Sequence, residues 1–173
     1  SIMELKSQEM RKLAPELDPL RIGTGWKRED LSKPQIFIES TYGDSHPGSG
    51  HLNILVEEVR KGVAQAGGFG ARYYVTDICD GESQGTDGIN FSLASREMIA
   101  NMIEIQGNAT VSDAGVYLAS CDKGMPGNLM GLALIFCACQ HSIRSRSGWY
   151  DECRTGNADF RAARYVQRKI SAR

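Results

Sequence analysis

Between residues 35 and 135 the apolar residues alternate between the spacing of a strand and that of a helix, and this constrains the fold more than any other feature. Gln35-Ile-Phe-Ile-Glu39 is a short run rich in β-formers, opened by Pro34. From His51 the period changes. Leu52, Leu55, Val56, Val59, Val63 and Ala66 fall on one helical face, and Gly67-Gly68 stops the helix. Residues 71–76 read as a second strand and 114–119 as a third. Between them, residues 93–105 read as a helix with Ile99, Met102, Ile103 and Met98 inward. A last helix is expected from Leu129, after Pro126-Gly127.

Strand–helix alternation of this kind predicts an α/β fold, a parallel sheet with helices on its faces. Residues 34–135 make up that unit. Residues 1–33 precede it as a helical and extended arm, with residues 3–14 helical and Trp26 a candidate anchor. In such folds ligands bind beyond the carboxyl ends of the strands. Three polar loops fall there, at 40–50, 77–90 and 120–128, and they carry most of the reactive side chains.

The loop 77–90 sets Asp77, Asp80, Glu82 and Asp87 among glycines. Strand-end carboxylates of this sort suit a hard cation, but composition alone favours a solvated turn in which Asp bonds its own backbone. Ser120-Cys-Asp-Lys-Gly124 puts a thiol, a carboxylate and an amine side by side. Cys121 suits a soft metal or an iron–sulfur cluster, Asp122 a hard cation, and Lys123 a charge or base. The alternative is a half-buried thiol beside a surface ion pair. Gly67-Gly-Phe-Gly70 lacks the phosphate-binding spacing and precedes a strand, and His46 and His51 read as neutral histidines at a helix start.

Charge divides the chain. Residues 1–140 hold 12 basic and 18 acidic side chains, whereas residues 141–173 hold eight basic and three acidic. A basic tail can grip nucleic acid, but no basic or aromatic face accompanies it in the folded part, so no nucleic-acid partner is expected. The five cysteines lack CxxC spacing and are expected to be reduced. No apolar run is long enough for a membrane span and no signal segment opens the sequence, so the expected setting is cytoplasmic and free of membrane.

Taken in order, Lys33-Pro34, His46-Pro-Gly-Ser-Gly-His-Leu52, Ala66-Gly-Gly68, Cys79-Asp-Gly-Glu-Ser-Gln-Gly-Thr-Asp-Gly88, Ser92-Leu-Ala-Ser-Arg-Glu-Met-Ile-Ala100 and Ser120-Cys-Asp-Lys123 resemble the N-terminal part of the dihydroxy-acid dehydratase / 6-phosphogluconate dehydratase family. The resemblance covers about residues 20–135. It implies a hydro-lyase that converts a 2,3-dihydroxy acid or sugar acid to a 2-keto acid, using an iron–sulfur cluster (2Fe-2S or 4Fe-4S) and Mg²⁺, in a homo-oligomer. By motif, Cys121 would ligate the cluster. Asp80, Asp122 and a carbamylated Lys123 would hold Mg²⁺. Many members carry Cys where this chain has Gly48, so a four-iron cluster or another ligand set is implied. The family's further cysteine, Mg²⁺-binding glutamate and base serine fall beyond residue 173, so the chain alone is expected to be inactive.

Residues 136–173 depart from the family pattern and become arginine-rich. With permitted codons and a one-nucleotide shift, Cys139 onward reads as Ala-Asn-Ile-Pro-Phe-Val-Pro-Gly, as a family continuation would. This tail is therefore expected to be frameshifted. The competing classes are a small non-catalytic α/β module that keeps the metal loop, and a basic-tailed nucleic-acid binder.

Overall fold

A computed structural model describes the backbone of residues 5–144 and the side chains of residues 5–135. Its centre is β1 (Gln35–Ser40), with β2 (Phe69–Tyr74) on one side and β3 (Ala114–Leu118) on the other, all parallel. The expected parallel α/β architecture is what the chain forms. Central position explains why β1 is buried almost throughout and why its polar residues matter later.

Side chains alternate across β1, so Ile36 and Ile38 face one way and Gln35, Phe37 and Glu39 the other. Helix α3 (Leu52–Gln65) covers the first face with Leu52 and Val56 buried. Gly70 of β2 permits the close approach: a Cβ there would stand 2.7 Å from Ile38 Cδ1 and 3.3 Å from Arg60 Cγ. On the second face Phe37 stacks on Tyr73 at 4.7 Å and lies 5.9 Å from Tyr117. There Val75, Ile99 and Ile103 form a core cluster joined by Tyr117 and Ile135. Ile99 and Ile103 come from α5 (Ser92–Ala109), and Ile135 from α6 (Gly124–Arg144).

Several boundaries differ from expectation. Strand β2 begins at Phe69 rather than residue 71, because Phe69 N–H donates to Pro34 O and opens the ladder with β1. The loop after it holds two short helical turns, α4 (Asp80–Ser83) and a 3₁₀ turn, Asp87–Phe91. Helix α6 begins at Gly124, five residues early; Pro126 sits in its first turn, where a missing N–H costs nothing. Met98 (60% exposed) and Met102 (38%) do not face the core. The inner stripe of α5 is Ile99, Ala100 and Ile103. Gly127 and Gly131 of α6 press against it: Cβ atoms there would stand 2.8 Å and 2.7 Å from Ile99 and Ile103. Leu55 is likewise exposed, so the buried stripe of α3 is narrower than its apolar one.

The arm before β1 contains α1 (Lys6–Leu13), α2 (Leu17–Gly23) and a 3₁₀ turn, Arg28–Ser32. It docks at the amino end of the sheet. Asp113 accepts from Ser7 N (3.0 Å), Ser7 Oγ (2.6 Å) and Gln35 N (2.7 Å), tying arm, β1 and the approach to β3 together. Trp26 does serve as an anchor, its ring 4.0 Å from that of Phe69. Beyond Arg144 the tail lies outside the described residues.

Candidate active site

At the opposite end the three strands deliver three loops. β1 runs into Thr41 and the turn at 43–50, β2 into Asp77 and α4, and β3 into Ser120–Lys123 and then α6. Asp80 is the first residue of α4, and Asp122 and Lys123 immediately precede α6. Lys123 Nζ lies 2.5 Å from Asp80 Oδ2 and 2.7 Å from Asp122 Oδ2, so two loops from separate strands converge on one ammonium. Hydrogen bonds to Asp122 and then Asp80 raise the Lys123 pKa, and the same ammonium lowers that of Asp122. The second Asp80 oxygen, Oδ1, is buried with no hydrogen-bond partner.

Cys121 adopts a left-handed backbone, φ 65°, the one non-glycine residue among those described to do so. That conformation is uncommon for a side-chain-bearing residue and marks local constraint. Its thiol is exposed and lies 3.8 Å from Asp122 Oδ1. Partial burial raises its pKa, the Asp122 backbone N–H lowers it in part, and the nearby Asp122, Asp77 and Cys79 raise it further. The four residues singled out from sequence, Asp80, Cys121, Asp122 and Lys123, therefore sit together. Glu82 and Asp87 do not join them by any hydrogen bond or ion pair. Among the described residues no three His, Cys, Asp or Glu side chains converge in a metal-holding group; the third position beside Asp80 and Asp122 is filled by Lys123.

Sequence reading missed two features. His46, read as a histidine at a helix start, pairs with a carboxylate: its Nε2 is 3.1 Å from both carboxylate oxygens of Asp77, and both side chains are buried. The second is Glu39, fully buried, with neither carboxyl oxygen in a hydrogen bond. Burial pushes its pKa up to about 8, the nearby Ser40 amide offsetting part of the effect. An acidic residue closing an apolar run was the only signal for it.

A parallel sheet with helices on both faces and its polar residues gathered beyond the strand ends defines an α/β protein, a class in which ligands bind at that edge. The particular kind follows from comparison. The N-terminal model of the dihydroxy-acid/6-phosphogluconate dehydratases matches residues 33–139, and the chain belongs to that family. Relatives include the dihydroxy-acid dehydratase of Clostridium novyi, 45% identical over 109 residues, 63% of this chain and 20% of the relative. The mitochondrial dihydroxy-acid dehydratase of Aspergillus terreus is also 45% identical over 109 residues, 63% of this chain and 18% of its own length. That of Vesicomyosocius okutanii is 42% identical over 109 residues, with 63% and 20% covered. The chain spans about a fifth of the length of these curated relatives. No helix among the described residues is long and apolar enough to cross a membrane.

Proposed function

We propose that this chain supplies the strand-end metal site of a hydro-lyase that takes water from a 2,3-dihydroxy acid or sugar acid to leave a 2-keto acid. The observation that carries the reading is the convergence of Asp80 and Asp122 on Lys123 within the family-matched segment. The donor set fits Mg²⁺. Two carboxylates offer hard oxygen ligands, and Asp80 Oδ1 is a buried acceptor with nothing to accept from. An ammonium has no lone pair, so Lys123 would join them as a carbamate. Cys121 would hold an iron–sulfur cluster; its thiol is free and exposed.

When bound, the two centres supply Lewis acidity for the departing 3-hydroxyl and for acidifying the C2 proton. The protein's part is placement. Asp80 and Asp122 would fix a cation where a substrate carboxylate and 2-hydroxyl can reach it, and the left-handed turn at Cys121 leaves its thiol 3.8 Å from Asp122 Oδ1. Lys123 balances the two carboxylates until metal arrives. Turnover is proposed for a protein carrying the whole catalytic set; the 173-residue chain alone is proposed to bind metal without turnover.

The test is calorimetric titration of the chain with Mg²⁺ at matched ionic strength, against Asp80→Asn. Binding weakened at least tenfold by the substitution supports the site. Equal affinity in both proteins removes it. In parallel, anaerobic loading with iron, sulfide and Mg²⁺ should yield no 2-keto acid from a panel of dihydroxy and sugar acids. Turnover that disappears in Cys121→Ser would show the chain to be complete as a catalyst.

A further inference from the structure

The two loops that carry the candidate ligands are not joined through their backbones. Asp80 follows β2, Asp122 and Lys123 follow β3, and the order β2-β1-β3 keeps those two strands apart. Among the described residues no backbone hydrogen bond links residues 77–83 to residues 120–124; they meet through side chains, Lys123 with Asp80. Between them lies the loop that leaves the central strand, residues 43–50.

That loop is fastened to both neighbours. Towards β2, His46 Nε2–H donates to Asp77, 3.1 Å from each carboxylate oxygen, in a pair whose side chains are 5% and 0% exposed. Ser45 Oγ donates to the Asp77 carbonyl at 3.1 Å. Towards β3, Ser120 Oγ donates to Gly48 O. Gly48 is tightly packed: a Cβ there would stand 2.8 Å from His46 Nδ1 and 2.9 Å from Ser120 Oγ, so ring and serine both press on the glycine. Fully buried Ser49 closes the loop on itself, its Oγ donating to Gly43 O at 2.9 Å. Asp77 reaches further still. A Cβ on Gly124, the residue after Lys123, would stand 2.9 Å from Asp77 Oδ2.

We infer that His46 is a positioning residue: through Asp77 on one side and Gly48 and Ser120 on the other, it sets the spacing between Asp80 and the Asp122–Lys123 pair. The inference rests on the cation site proposed above and adds to it the loop that holds it. Burial at both ends of the His46–Asp77 bond leaves the ring one place to sit, and a buried polar pair of this kind is rigid. Asp77 is three residues from Asp80, and Ser120 three residues from Lys123, so a shift of the loop passes to both ligand groups with little slack. Mg²⁺ demands near-ideal octahedral geometry at about 2.0–2.1 Å, which makes its affinity sensitive to that spacing. Removing groups that orient metal ligands from behind changes affinity by about 10–100-fold.

The experiment titrates the full chain with Mg²⁺ in a calorimeter at matched ionic strength. The parent is compared with His46→Leu, His46→Gln, Asp113→Ala and Asp80→Asn, each first shown to be folded by circular dichroism. Leucine leaves Asp77 without its donor, whereas glutamine can place its amide Nε2 where the imidazole Nε2 stands. Asp113→Ala loosens the opposite end of the sheet and reports what a general loss of stability does to binding. The expected result is a loss of affinity of about tenfold or more in His46→Leu, most of it restored in His46→Gln, with parental affinity in Asp113→Ala. Parental affinity in His46→Leu, while Asp80→Asn still weakens binding, overturns the inference and leaves the cation site standing. So does a loss that Asp113→Ala shares, or one that glutamine does not restore. Should His46→Leu fail to fold, Ser120→Ala, which cuts the loop's other tie, decides by the same thresholds. Equal affinity in the parent and Asp80→Asn removes the site, and the inference with it.

Discussion

Glu39 permits a test with a defined sign. It lies on the central strand opposite Tyr73 and Tyr117, fully buried, with a folded-state pKa of about 8 against 4.5 for the exposed side chain. Between those values the folded chain keeps a proton that the unfolded chain has released. Stability therefore falls as pH rises, by about 1.4 kcal/mol per unit, until the carboxyl ionises in both states. From about pH 4.5 to pH 7 the loss is about 3 kcal/mol, and near pH 8 it reaches about 4 kcal/mol. Glu39→Gln keeps shape and an unpaired polar head but cannot ionise. It should match the parent near pH 4.5 and exceed it at pH 7 by about 3 kcal/mol, or roughly 6–12 °C in melting temperature for a chain of this size. Urea and thermal unfolding followed by circular dichroism across pH 4.5–8 measure this. Every other titrating group is common to both proteins, so the difference isolates Glu39. Parallel pH profiles, or a Gln variant that is weaker at pH 7, would refute the reasoning.

Two further substitutions probe what holds the sheet in place. Gly131→Ala puts a Cβ 2.7 Å from Ile103 and 3.1 Å from the Ala100 carbonyl, so it should cost about 1–3 kcal/mol by overpacking, read as a lower melting temperature. Asp113→Ala strands the Ser7 and Gln35 amides, the latter on the central strand; a loss of about 2–4 kcal/mol is expected, with faster amide exchange at Ser7 and Gln35.

How legible each feature was depends on how local its cause is. β1 and α3 were readable because a change of hydrophobic period is written into neighbouring residues. Asp80 and Lys123, 43 residues apart, were readable because both loops follow strands, and parallel strands deliver their loops to one edge. Met98 and Met102 were misassigned because α5 is apolar on two sides. Which side is buried is chosen by Gly127 and Gly131 on another helix, and no pattern within α5 contains that choice. The His46–Asp77 pair was invisible for the same reason: it exists only because β1 and β2 lie side by side in register. Glu39 closes an apolar run and could pass for a solvated strand end. Only the order β2-β1-β3, with β1 in the middle, buries it.

The unpaired atoms left at the carboxyl edge share one character. Asp80 Oδ1, Thr41 Oγ1 and Asn128 Oδ1 are buried oxygens without partners, and a Cβ on Gly124 would meet Asp77 Oδ2 at 2.9 Å and Thr41 Oγ1 at 3.2 Å. Each such buried acceptor costs about 1–3 kcal/mol when nothing satisfies it. A fold shaped for stability alone would place donors there or fill the edge with apolar groups. Added carboxylates and a raised thiol pKa sharpen the imbalance, and Lys123 Nζ, bonded to two of them, is the positive charge that the structure sets in their midst. An edge with surplus acceptors is stabilised by cations far more than by neutral ligands, since only positive charge satisfies oxygens and thiol together. Metal binding should therefore raise the melting temperature of the chain, and most of that gain should vanish when Asp80 or Asp122 is neutralised to Asn.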